Sequence, residues 1–522
     1  MDEKKIYVNL FYLILISTLA RAFLAGFLEL GNDEVYYWTY ALYPDLSHFD
    51  HPPMVGFIIQ AFTLNLIFEN EFFLRLASIL FGAMNTWLIY VITTRIKNSL
   101  AGFYAAVLFT ASIYCFIIAG TFILPDTPQL LFWLLSLYFL TTSVTYKVAN
   151  RFTKTNHLLA GLTLGLGRLS KYTTVFLWFG TIAFILLYNR RWLKTKELYI
   201  SMLISLFIFI PVIVWNFQND FISFSFQSER VNMSESGIKP DFFFQELGGQ
   251  ILYNNPINFV LIMIALVALI AGRNFIPSKY KRFLLWNSLP LILLFLVFAL
   301  FRRTLPHWTG PGYLGLIIIA ATYFASRLEK KGSLFPWPLQ LPLYLLLIIL
   351  FVGTAQIKGG WFLPPKVSED IELGKDDVTL DMYGWDQLRK KFEPIYESDL
   401  KEGRMDSNAV MISFRWFPAA NLDYYVARPL KIRMLAIGEL ERIHKYAWIN
   451  RIRGGFPQGM DAYFLTSSRD FKDPEDLYHD YFTEIIPADT IAIERGGEVA
   501  KYVFVYHLKG LKKEVPDSLA IE

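Results

Sequence analysis

The stretch from Glu29 to Pro53, ELGNDEVYYWTYALYPDLSHFDHPP, decides how the chain is read. It follows an apolar run over residues 6–28, long enough to cross a bilayer core, which takes about 20 residues. From Glu29 to Glu71 the segment holds Asp33, Glu34, Asp45, Asp50, Glu69 and Glu71 and not one Lys or Arg. A loop that acidic is no surface for anionic headgroups. The run Asn32-Asp33-Glu34 reads as a helix start, where acids favour the positive helix end. Tyr36, Tyr37 and Trp38 then suit an interfacial aromatic belt. The same acids, held at a membrane surface, could take a proton from an acceptor hydroxyl. His48-Phe49-Asp50-His51-Pro52-Pro53 closes the loop. Its prolines fix the backbone before an apolar stretch, 53–68, which is expected to lie in the interface or to re-enter the bundle.

Outward from this loop the chain divides by composition. Of 522 residues 54% are apolar and 18% charged, against about 25% charge in a soluble domain. Residues 1–357 carry 26 Lys and Arg against 17 Asp and Glu, while residues 358–522 carry 23 against 28. The first block is expected to be a transmembrane domain and the second a soluble one. Eleven spans are predicted, at 6–28, 72–92, 99–118, 129–146, 157–169, 172–188, 198–217, 256–272, 283–301, 308–326 and 338–357. The fifth and sixth are short and meet at Ser170-Lys171.

With the N-terminus in the cytoplasm, the inside segments hold 18 basic residues, Lys330 and Lys331 among them, and the outside connections six. That asymmetry sets the orientation. An odd number of spans then puts residues 358–522 in the periplasm of a bacterium. Strands are expected there at 410–414, 462–466, 491–493 and 502–507, with a hairpin turn at Arg495-Gly496-Gly497-Glu498. Helices are expected at 384–392, 419–426 and 474–482. The overall fold class is thus a polytopic α-helical membrane protein with a C-terminal α/β domain. The small, dispersed net charge of +4 gives no reason to expect nucleic acid as a partner. Cys115 has no second cysteine with which to pair.

The remaining chemistry lies in outside connections. Asp126 is the one charged residue in Leu124-Pro125-Asp126-Thr127-Pro128, a turn at bilayer-surface depth, where an unpaired carboxylate is costly. Arg168 and Lys171, in Gly167-Arg168-Leu169-Ser170-Lys171-Tyr172, break the charge pattern on a side otherwise poor in cations, as do Arg302 and Arg303 just ahead of His307. Snorkelling would explain them singly. Together they suit a phosphate, because a departing phosphate requires fixed positive charge. A divalent metal at His48, Asp50 and His51 is an alternative, although the spacing matches no strong zinc pattern.

DEVYYW, FDHPPMVGF, LPDTPQLLFW, GLGRLSKYT and PVIVWNFQND, followed by FRRTLPHWTGPGY, occur in this order. The series resembles the bacterial branch of the protein O-mannosyltransferase-like superfamily, glycosyltransferase family 39 with the GT-C fold, related to lipid A aminoarabinose transferases. The resemblance implies inverting transfer of a sugar from a polyprenyl (undecaprenyl) phosphate to a hydroxyl of a lipid, glycan or protein, at the periplasmic face of the inner membrane and without a required cofactor. It implies Asp33 as catalytic carboxylate with Glu34 beside it, and Asp126 as a second acid. Lys171 matches a family lysine near the donor phosphate. His51 stands where those transferases carry a lysine, with Asp50 in place of its acidic neighbour. Arg302, Arg303 and Arg168 are further candidate phosphate ligands, and Tyr37 and His307 are expected to support the loop or the acceptor.

Two other classes compete. A lipid-linked sugar flippase would place its charges at mid-bilayer in paired inverted halves, and neither is evident. A non-catalytic carrier-binding protein would not require both Asp33 and Asp126. For the C-terminal domain, position alone suggests acceptor recognition.

Overall fold

The computed structural model describes residues 3–147, 150–230, 237–328, 334–362 and 370–519; Lys330 and Lys331 lie outside these. The chain forms two compact units. One comprises Met1–Gly26 with Pro44–Ile348, the other Phe27–Tyr43 with Ile349–Glu522. The division therefore falls close to the composition boundary, but the segment carrying Asp33 belongs with the C-terminal residues.

The first unit is helical. Among the described residues six helices are long and apolar enough to cross a membrane: Glu3–Phe27, Leu76–Ile96, Lys196–Gln218, Ser278–Phe298, Pro306–Leu328 and Trp337–Gly359, the last of which runs into the second unit. A seventh would be the pair Pro240–Tyr253 and Pro256–Ile270, bent by 98°. Its first half was not expected from the sequence. The expected fifth span is a full twenty-residue helix, Arg151–Ser170, started by Asn150, whose side chain accepts from the Thr153 amide at 2.9 Å. The chain breaks at Lys171, as expected, and resumes as a short turn, Tyr172–Thr174, and the helix Val175–Tyr188. Other spans are interrupted: Ser99–Ala111 gives way to a wider turn, Tyr114–Ile118.

Small residues let these helices approach closely, as packing in lipid favours. A Cβ on Gly161 would meet the Ser201 carbonyl oxygen at 2.4 Å, so the helices Arg151–Ser170 and Lys196–Gln218 touch backbone to backbone there. The apolar stretch 53–68 is helical only over Met54–Phe62. Leu64, Asn65 and Leu66 all take positive φ and end it.

The second unit holds a five-stranded mixed sheet in the order β2-β1-β3-β5-β4. The strands are β1 Val410–Ser413, β2 Met434–Ala436, β3 Ala462–Ser467, β4 Phe482–Arg495 and β5 Glu498–Leu511. β1 runs parallel to β2 and β3, and β5 antiparallel to β3 and β4. The β4–β5 turn is Gly496-Gly497, with φ of 64° and 92°. Two successive left-handed positions are what a tight hairpin demands, and the sequence placed this turn correctly. Val410, Ile412, Phe464, Tyr478 and Leu508 form part of the core on one sheet face.

Candidate active site

In the first unit the structure brings Asp126 and Lys171 together. Lys171 Nζ donates to Asp126 Oδ2 at 2.7 Å, and the Tyr114 hydroxyl donates to Asp126 Oδ1 at 3.0 Å. The residues are 2% and 5% exposed, so this is a buried ion pair. Each partner sits where the local fold requires it. Asp126 opens the helix Asp126–Thr141 after Pro125. Lys171 lies in the extended break after Ser170, its amide closing the preceding helix onto the Gly167 carbonyl at 3.0 Å. Gln129, one turn past Asp126, donates to the Thr173 and Thr174 hydroxyls at 2.7 and 3.2 Å and so braces the two segments.

Around this pair stand further polar groups. His51 lies within electrostatic reach of Asp50, Lys171, Arg230 and Asp126, and His307 within reach of Lys171, Asp126 and His51. Burial pushes the His51 imidazolium down to about 4, with Lys171 and Arg230 adding to the effect and Asp50 opposing it. His51 is therefore neutral near pH 7. Arg230 lies over the Phe226 ring at 4.3 Å. Asp50 is held through its carbonyl by the Gln227 side chain.

Other candidates go elsewhere. Arg168 lies over the Phe209 ring at 4.1 Å. Arg303 is exposed and Arg302 half-buried; both precede Thr304, which enters a separate network. There Glu246 accepts from Gln250 at 2.8 Å and from Thr304 at 2.7 Å, and Gln250 accepts from the Tyr313 hydroxyl at 2.7 Å. Gly249 packs so close to Pro306 that a Cβ would lie 2.2 Å from its ring. Helix Pro240–Tyr253 thus fixes the segment that carries Arg302, Arg303 and His307. Among the described residues no three His, Cys, Asp or Glu side chains converge as a metal cluster. His48, Asp50 and His51 therefore form no ligand set.

The second unit holds the helix Asn32–Leu42. Glu34 is 2% exposed, and its Oε2 accepts the Gly31 amide at 2.9 Å. It closes the first turn of its own helix. Asp33, next to it, is exposed. Tyr37 packs against Tyr36 and Tyr40 with ring centroids at 5.5 and 5.3 Å. Of the Asp33-Glu34 pair, the first is exposed and the second closes the turn that carries it.

Sequence reasoning missed Tyr114, Gln129 and Glu246. Tyr114 sits within an apolar run. Glu246 lies in FFFQELGGQ, which an apolar-run search passes over.

The crystal structure of ArnT from Cupriavidus metallidurans bound to undecaprenyl phosphate matches with a TM-score of 0.64 at 12% identity, over 95% of this chain and 97% of that one. Its apo state matches at 0.60 and 13%, over 96% and 98%. Fold and helical pattern together give a multi-pass membrane protein with the GT-C fold. Residues 50–215 match the family model described as dolichyl-phosphate-mannose-protein mannosyltransferase, a span that contains Asp50, His51, Asp126, Arg168 and Lys171. Lipid A galacturonosyltransferase RgtD of Rhizobium johnstonii is 23% identical over 344 residues, 62% of this chain and 70% of its own. Residues 50–215 thus carry the family match, while the chain is similar to RgtD in sequence and to ArnT in fold.

Proposed function

We propose that the protein is an inverting transferase that moves a sugar from a polyprenyl monophosphate carrier to a hydroxyl of a lipid or glycan acceptor, at the periplasmic face of the bacterial inner membrane. The observation that carries this reading is the buried Asp126–Lys171 pair, braced between two helix ends inside the segment that matches the family. A buried lysine held by a carboxylate is a preoriented cation: its ammonium carries three N–H donors, one goes to Asp126, and a phosphate can meet the others with the pair intact. ArnT was crystallised with undecaprenyl phosphate and RgtD is a lipid A transferase; both support the choice of donor and acceptor class.

In the proposed reaction the donor phosphate meets Lys171, with neutral His51 as a hydrogen-bonding neighbour. Asp33 accepts the proton of the acceptor hydroxyl as its oxygen attacks the anomeric carbon. The bond from that carbon to the phosphate oxygen breaks through an oxocarbenium-like state, and the electron pair leaves with the polyprenyl phosphate. Fixed positive charge stabilises the departing anion. Glu34 holds the helix turn beside Asp33.

The test is a proteoliposome assay with a panel of radiolabelled polyprenyl-phosphate sugars, comparing wild type with Asp33→Asn. Release of polyprenyl phosphate by wild type alone supports the reading and names the sugar. Tight donor binding without turnover of any donor would instead mean a carrier-binding protein or a flippase.

A further inference from the structure

We propose that Asn421 and Tyr425, in the C-terminal part of the second unit, are positioning residues for Asp33. The inference rests on the reading of Asp33 as the proton acceptor.

A helix N-terminus leaves several backbone amides without partners inside the helix, and the first turn frays unless something takes them. Three consecutive residues ahead of Asp33 are fixed. The Leu30 amide donates to the Tyr425 hydroxyl at 2.7 Å, the Gly31 amide to Glu34, and the Asn32 side-chain oxygen accepts from Asn421 Nδ2 at 2.8 Å. Two of the three anchors come from residues about 390 positions further along the chain. Tyr425 and Asn421 are four residues apart, the spacing that puts side chains on one face of a helical segment.

That face is itself held from behind. Asp423, between the two anchors, is buried and binds Arg453 at 2.8 Å and the Tyr446 hydroxyl at 2.9 Å. Arg453 also donates from Nε to the Tyr43 hydroxyl at 2.9 Å. One guanidinium therefore fixes the anchor segment and, at Tyr43, the residue just past the helix that carries Asp33. On the approach side the Glu29 carboxylate accepts the Trp385 amide at 3.0 Å. Within this frame Asp33 is exposed. Rigid surroundings and an exposed carboxylate are what a base needs in order to meet a bulky acceptor in one geometry.

The experiment uses the full chain in proteoliposomes with Tyr425→Phe, which removes a hydroxyl and little volume, and with Asn421→Ala. Misplacement of a reacting group by about 1 Å costs on the order of 100-fold in rate. The expected result is kcat reduced about 10- to 100-fold with donor KM within about twofold. Two results would overturn the proposal: kcat within twofold of wild type in both variants, or a rate lowered only in step with the folded fraction. Asp33→Asn runs alongside. If that variant keeps full activity the reading of Asp33 itself fails; if it is inactive while both anchor variants match wild type, only the positioning role fails.

Discussion

Lys171 Nζ and Asp126 Oδ2 stand 2.7 Å apart with their side chains almost sealed from solvent, at 6% and 3% exposure. A pair in such a setting is costly to break from one side, because the partner left behind is an uncompensated buried charge. The usual cost is about 3–5 kcal/mol. Lys171→Met should therefore lower the melting temperature of the detergent-solubilised protein sharply and abolish donor binding. The double variant Lys171→Met/Asp126→Asn should recover most of the stability and none of the binding. Equal melting temperatures for the single and double variants would remove the pair from the account.

Asp33 makes a different prediction because it is exposed. Asp33→Asn should cost about 10²- to 10⁴-fold in kcat, the range for loss of a positioned general base, while stability moves by no more than about 0.5 kcal/mol. Single-turnover kinetics beside a thermal melt separate the two effects. A variant that turns over within tenfold of wild type would show that the proton goes elsewhere.

His51 gives a pH dependence. Its ordinary value near 6.5 is lowered to about 4 in the folded protein, chiefly by burial. Between pH 4 and 6.5 the unfolded chain therefore binds a proton that the folded one does not, and stability rises with pH across that window. The interval from 6.5 to about 4 sets the total at about 3 kcal/mol. Melting curves from pH 4 to pH 7 should flatten in His51→Gln by that share. Unchanged curves would mean that His51 is not buried as a neutral ring.

Glu246 is a stability prediction. Glu246→Ala leaves the Gln250 amide and the Thr304 hydroxyl without their buried acceptor, at about 1–3 kcal/mol for each unsatisfied group. Glu246→Gln retains an oxygen and should cost less. The order wild type, Gln, Ala in melting temperature is the expected readout. An Ala variant as stable as wild type would show that water replaces the carboxylate there.

The sequence revealed what depends on local pattern. Gly496-Gly497 announced a hairpin because few residues tolerate two left-handed positions in succession. Lys171 announced a break because two apolar runs meet at a cation. The apolar runs carried the polytopic helical class, and the GT-C fold came from the resemblance of the ordered motifs between Asp33 and His307. Pairing was not legible. Nothing in LPDTP or LSKYT says that Asp126 and Lys171 meet, because their proximity is decided by how the helices Asp126–Thr141 and Arg151–Ser170 pack. Glu34 and Asp33 look alike in the string; only the turn geometry makes one a cap and leaves the other exposed. The union of residues 27–43 with the C-terminal unit was likewise invisible, because it depends on contacts such as Asn32 with Asn421 across 389 positions.

That long separation bears on biosynthesis. The Asn32–Leu42 helix emerges early from the ribosome, while Asn421, Tyr425 and Arg453 follow roughly 400 residues later, about 20–80 s at ordinary elongation rates. During that interval a growing chain already carries Asp126 and Lys171 in the membrane but lacks the partners that seat Asp33. With Asp33 in its proposed role, activity becomes available only near the end of translation. A chain terminated before residue 421 would hold the proposed donor site without a seated base, and could sequester a scarce lipid carrier without consuming it.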